Sequence, residues 1–355
     1  MSESPSRFHH HLQQALQTSS LSQNADPPSV SSWVPSIKVC GLTRLEDMVR
    51  VAKLGGTHWG TIMVPETPRH LDLKALRTLL EEVTHLDCRE GSTWHHGMTW
   101  VLVVQLPKAF ASLSASQDFN ALYESVLVPW LNQVHDTLEM IASYRQQAPL
   151  WVQCHGLYEC FLACQHQHAL TFWQKIIEAF HHARKVSDKL IPWSLALSYV
   201  GETAPSKEWC RWHSWHQAFN HSSHPTPSLE APFYIPQNLE PLRHDAFLPQ
   251  AYILDLPKGL PLTLEETLPV LPSFLLPHAQ RGCPIWLAGK LSPETLPQVF
   301  KALQGLPLPD GWDVASGVEY AKVTQARPLL TSAKSPERLE AWFQMLQPAM
   351  VHFLH

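Results

Sequence analysis

Eight short β-branched or apolar runs, separated by longer helix-like segments, constrain this chain more than any other feature. They are Ile37–Val39, His58–Val64, Thr99–Gln105, Leu150–Cys154, Ile191–Leu197, Tyr252–Asp255, Pro284–Ala288 and Trp312–Ala315. Short buried-strand runs alternating with helical periods predict a parallel sheet joined by crossover helices. Eight of them predict closure of that α/β sheet into a (β/α)8 TIM barrel. Between the first two runs, LEDMVRVAKLGG places Met48, Val51, Ala52 and Leu54 roughly on one helical face, with Gly55-Gly56 as the C-terminal stop. In such a barrel the chemistry lies on the loops that follow the strands, so the residues just past each run are the candidates for function.

Two stretches exceed ordinary barrel connections. Leu106–Ala148, after the third strand, carries an amphipathic pattern from Leu122 to Ile141 and is expected to be enlarged helical decoration. Gly201–Gln250, after the fifth, is rich in Pro, His, Trp and Ser and shows no sustained period. Residues 1–33, rich in Ser, Gln and His, predict a flexible N-terminal extension, with 34–355 as a single barrel domain. With 355 residues, 45% hydrophobic and 16% charged, the chain can bury a large core. Its net charge of −5 provides no general pull towards phosphate backbones or anionic lipid, so neither nucleic acid nor membrane is expected as a partner. There is no apolar run of signal-peptide or membrane-spanning length. Seven cysteines in no disulfide framework fit a reducing compartment, and the expected location is cytoplasmic. Thirty prolines stand against only 14 glycines, which makes the position of each glycine informative.

Read in order, the strand ends are KVCGLTR at 38–44, GTIMVPETPR at 60–69, VQCHGLYE at 152–159, YILD at 252–255, LAGKLSPETL at 287–296 and DVASGVE at 313–319. Together they resemble phosphoribosylanthranilate isomerase, the barrel enzyme of tryptophan biosynthesis. Its strand ends read KICG-T, G-F-x-F…SPR, QLHG-x-E, LLD, LAGGL-x-P-E-N and DVSSGVE. The closing TSAKSPERLEAWFQML is similar to that family's terminal helix.

The resemblance implies an Amadori rearrangement without a cofactor, on a phosphorylated small-molecule substrate, by a monomer or homodimer. An acid opens the furanose ring and a base removes the C2 proton of the resulting imine, so two groups of different acidity must flank the sugar. By the resemblance Cys40 is the general base, Asp255 the general acid, and Arg69 holds the anthranilate carboxylate, a task suited to its planar fork. His155 and Glu159 line or brace the site. Gly289, Ser316 and Gly317 cradle the phosphate through backbone N–H groups. Lys290 stands where the family keeps a second glycine, and it either adds a cation to the phosphate site or obstructs it. The loop after Asp255, PKGLPLTLEETL, lacks the family's glycine-rich stretch.

Other readings compete. Outside this context a cysteine on a buried strand is a small hydrophobe, and an Asp ending a strand is a turn residue or helix cap. Cys154, His155, Cys160, Cys164, His166 and His168 crowd one segment, and Cys210, His213, His216, His221 and His224 another. Neither group has paired C-x-x-C or H-E-x-x-H spacing, so no metal site is expected. The missing loop glycines and the 14 tryptophans keep open a catalytically impaired barrel that serves as a binding or regulatory scaffold.

Overall fold

The computed structural model describes residues 35–90, 97–110, 118–145, 148–157, 159–160, 164, 170–198, 249–255, 284–289, 291–306, 308–320 and 333–352. The N-terminal extension, the Gly201–Gln250 connection up to residue 248, the loop after Asp255, and Lys290 lie outside the described residues.

Eight parallel strands close into a barrel: β1 (Ser36–Cys40), β2 (His58–Ile62), β3 (Thr99–Gln105), β4 (Leu150–His155), β5 (Trp193–Ser198), β6 (Ala251–Asp255), β7 (Ile285–Ala288) and β8 (Gly311–Val314). Each strand pairs with its neighbour in sequence, and β8 returns to β1 with Val39 opposite Val314. All eight sequence runs are strands, with ends that coincide or differ by no more than two residues. Helices α1 (Leu45–Lys53), α2 (Leu73–Glu90), α3 (Val128–Tyr144), α4 (Leu170–Ala183), α5 (Leu296–Ala302) and α6 (Pro336–His352) connect or follow strands.

Helix α1 ends as its glycines predict. The Gly55 amide donates to Ala52 O and the Gly56 amide to Val51 O, with Gly55 at φ +91°, the paired bonds that satisfy the last helical carbonyls. The Leu106–Ala148 stretch is helical, as its amphipathic pattern predicts. Its helical run, Phe119–Leu122, a π turn at Tyr123–Leu127 and then α3, is the crossover helix itself and packs against α2 and α4. Amphipathic period shows that a helix has an apolar face, here Leu131, Val134, Leu138 and Ile141, but not which neighbour covers it.

Strand alternation divides the core in two. Val39, Trp59, Trp100, Leu102, Val152, Leu195, Leu254 and Leu287 belong to the large layer shared with the helices. Their neighbours along the strands form the barrel interior, with Cys40, Ile62, Val101 and Val103 in one cluster and Ala251, Ile253, Trp286 and Ala288 in another. His58 lies in this interior, its ring edge-on to Trp286 at 4.7 Å. Burial, helped by the charge of Lys38, pulls its pKa down to about 4.

A histidine near 6.5 when unfolded and near 4 when folded binds its proton in the unfolded chain first. His58 therefore contributes fully above pH 6.5, and its contribution is lost as pH falls from 6.5 towards 4, by roughly 3 kcal/mol. Denaturant unfolding of wild type and His58→Gln between pH 7 and 4 is expected to show a shallower acid loss in the variant. Equal slopes would exclude His58 as the source.

Candidate functional site

A cavity of about 290 Å³ opens at the C-terminal ends of the strands. Cys40, Arg69, His155, Asp255, Gly289, Ser316 and Gly317 line it, together with Gln153 and Asp313. Seven of the eight site positions expected from the motifs thus meet in one place, drawn from β1, β4, β6 and the loops after β2, β7 and β8. The eighth, Lys290, lies outside the described residues. Glu159 is half-buried and is not among the lining residues. The volume is at the low end of the roughly 300–1,000 Å³ usual for small-molecule sites.

Each wall has a local cause. Cys40 and Asp255 close their strands with side chains on the interior side, since residues two apart on a strand share a face. The other described cysteines of the core, Cys154, Cys160 and Cys164, lie in the helix-facing layer. Burial pushes the Cys154 thiol well above its usual range, and the hydrogen bond to Cys164, with burial behind it, does the same to Cys160, so these two are inert fillers.

Arg69 reaches the cavity across Gly41, whose φ is +71°. A methyl group on Gly41 would collide with Arg69 Cδ. Gly41→Ala is therefore expected to cost about 1 kcal/mol in backbone strain and to displace the guanidinium. On the expectation that Arg69 holds a carboxylate, the Kd for a carboxylate-bearing ligand would rise about tenfold, in keeping with loss of roughly one good hydrogen bond to a charged group. Calorimetric titration checks this, and unchanged binding would mean that the stem of Arg69 does not set its head group.

The loops after β7 and β8 are fastened to each other. Ser316–Val318 form a single 3-10 turn after β8, and a side chain on Gly317 would overlap Leu291 O. Arg338 of α6 donates from Nε and Nη2 to Gly317 O at 3.0 and 2.9 Å. It also makes a two-pronged pair with Glu294 at 2.8 Å for each bond. That pair holds the Glu294 carboxyl down at about 2. A close backbone approach clamped in this way provides a rigid rim of small residues, the type of surface that admits a phosphate.

Below Cys40 lies a charged chain that motif reading missed. Lys38 is fully buried, and its Nζ donates to Asp313 Oδ2 at 2.7 Å and to Gln153 Oε1 at 2.5 Å. Gln153 Nε2 in turn lies 3.0 Å from His155 Nε2. Burial pulls the Lys38 pKa down, but Asp313 and the Cys40 sulfur outweigh it and leave the ammonium above its usual value. A positive charge thus stands beside the Cys40 sulfur. The signal available in sequence was the i, i+2 spacing of Lys38 and Cys40 and of Gln153 and His155, which places each pair on one strand face.

Among the described residues, no three His, Cys, Asp or Glu side chains converge as a metal site. His166, His168 and the Cys210–His224 group lie outside them. No described helix is long and apolar enough to cross a membrane.

No family model matches the chain, and no curated protein matches it. Among solved structures, it is similar to phosphoribosyl anthranilate isomerase from Thermus thermophilus, with 17% identity over 88% of this chain and 98% of that one and a TM-score of 0.45. It is similar to a phosphoribosyl anthranilate isomerase in complex with reduced 1-(o-carboxyphenylamino)-1-deoxyribulose 5-phosphate, with 15% identity over 89% and 100% of the two chains and a TM-score of 0.41. A Bacteroidetes-affiliated GH5 cellulase matches at 10% identity over 90% and 95%, also with a TM-score of 0.45. Likeness at this level is shared by unrelated chemistries and decides nothing about the site.

Proposed function

We propose that this chain converts N-(5-phosphoribosyl)anthranilate to 1-(2-carboxyphenylamino)-1-deoxyribulose 5-phosphate, an aldose-ketose isomerisation in tryptophan biosynthesis. The observation that carries the reading is the shared cavity. Residues that stand in the strand-end motifs, spread from Cys40 to Gly317, line one opening at the strand ends.

In this reading Asp255 protonates the ring oxygen. The bond from C1 to that oxygen then breaks, and the nitrogen lone pair forms an imine cation at C1. Cys40 removes the C2 proton, the C2–H electron pair becomes the C1–C2 double bond as the C=N π pair returns to nitrogen, and the resulting enolamine takes a proton at C1 and loses the C2 hydroxyl proton to give the ketone. Lys38 sits next to the sulfur that must begin the step as thiolate. Arg69 holds the anthranilate carboxylate, and Gly289, Ser316 and Gly317 hold the phosphate. His155, braced by Gln153, faces the sugar between them. The scheme moves only protons, so it calls for no cofactor.

The test is the loss of anthranilate-ribosyl fluorescence on adding purified protein to the substrate, together with restored growth without tryptophan in a strain lacking the isomerase. Soluble protein that binds a phosphorylated ligand but does neither would refute the isomerase reading and favour a phosphate-binding scaffold.

A further inference from the structure

Beside Arg69 lies a charge arrangement that this reaction scheme leaves unused. Lys334 is 1% exposed, and its Nζ donates to Glu319 Oε1 at 2.9 Å and to Ala315 O at 3.1 Å. Its backbone is fixed as well, with the amide donating to Asp47 Oδ2 at 3.2 Å and an isolated antiparallel bridge joining it to Glu319. The same Glu319 oxygen stands 3.7 Å from Arg69 Nη1, and Arg69 Nε is buried with no hydrogen-bond partner. Glu319 therefore lies between two cations and is bonded to only one. At 2.9 Å the lysine contact is a charge-assisted hydrogen bond, whereas 3.7 Å is outside hydrogen-bond range.

We infer that Lys334 is a positioning residue: by holding Glu319 it keeps that carboxylate off Arg69, so the guanidinium fork stays open to a carboxylate entering the cavity. A movement of about 1 Å would bring Glu319 into bonding distance of Arg69. A carboxylate tethered there competes with a free one at an effective concentration in the millimolar range or above. Lys334 removes this competitor without itself meeting the ligand. The inference rests on the reading of Arg69 as the carboxylate holder, but not on turnover.

Two probes test it in the full-length protein: reduced 1-(o-carboxyphenylamino)-1-deoxyribulose 5-phosphate, and the same compound with an unsubstituted phenyl ring. Lys334→Met is expected to weaken binding of the carboxylated probe about tenfold or more, the scale of one charge-assisted bond, while affinity for the phenyl probe changes by less than about threefold. In Lys334→Met/Glu319→Gln a neutral amide no longer competes, and affinity for the carboxylated probe should return to within about threefold of wild type.

Unchanged binding in Lys334→Met would overturn the inference. So would a loss affecting both probes equally and not restored by the second substitution, because that is a structural effect. If Lys334→Met does not fold, Glu319→Gln alone decides: it should bind the carboxylated probe at least as tightly as wild type, and weaker binding overturns the idea. Wild-type protein that prefers the carboxylated probe without turning over the substrate would sink the isomerase reading and leave this one standing. Normal turnover with an indifferent Lys334→Met would do the reverse.

Discussion

Cys40→Ala and Asp255→Asn are each expected to lower turnover of N-(5-phosphoribosyl)anthranilate by at least about 100-fold, the scale of losing a general base or acid. Both residues end strands and line the cavity, so neither substitution removes a packing element of the helix-facing core. Far-ultraviolet circular dichroism and the melting temperature should stay close to wild type. The two losses should combine to less than their product, because acid and base serve one sequence of proton transfers. Cys40→Ser is informative as well: a hydroxyl of similar size, but far less acidic, should rescue little. Activity within a few-fold of wild type in either single variant would remove that residue from the mechanism.

Lys38→Met is expected to be strongly destabilising although it lies outside the apolar core. It leaves Asp313, 5% exposed, as a buried carboxylate stripped of its ammonium at 2.7 Å. Breaking a buried pair from one side costs about 3–5 kcal/mol, while removing both charges is often close to neutral. Lys38→Met/Asp313→Asn should therefore recover most of the lost stability in urea denaturation, which separates a charge effect from a packing defect. If the double variant is no more stable than the single one, the ion pair is not what matters at this position. Because Lys38 also neighbours the Cys40 sulfur, a folded double variant should still turn over substrate more slowly than wild type.

The strands were legible in the sequence because each is a short apolar run bounded by polar or turn residues, a pattern set by local burial. The candidate acid, base and carboxylate-holding residues were legible because each sits in a short motif at a strand end. Lys38 shows the boundary. It stands inside KVCGLTR, two residues before Cys40, and its interior orientation follows from strand alternation. Nothing local marks its partner, which lies 275 positions away on β8 and meets it only when β8 closes against β1. Lys334 is similar: its charge lies in the stretch before the last helix, and its role depends on Glu319 and Arg69 arriving from two other loops.

The sequence by itself thus determined the number and order of strands, the α1 stop at Gly55-Gly56, and the identity of the side chains offered at the strand ends. All of these depend on backbone preference and burial within a few residues. Closure of the barrel decided which of those side chains face one another, which carboxylate each buried lysine pairs with, and that α3 packs against α2 and α4. Those outcomes turn on the desolvation of charges and on apolar contact between segments far apart in the chain, which no local pattern encodes.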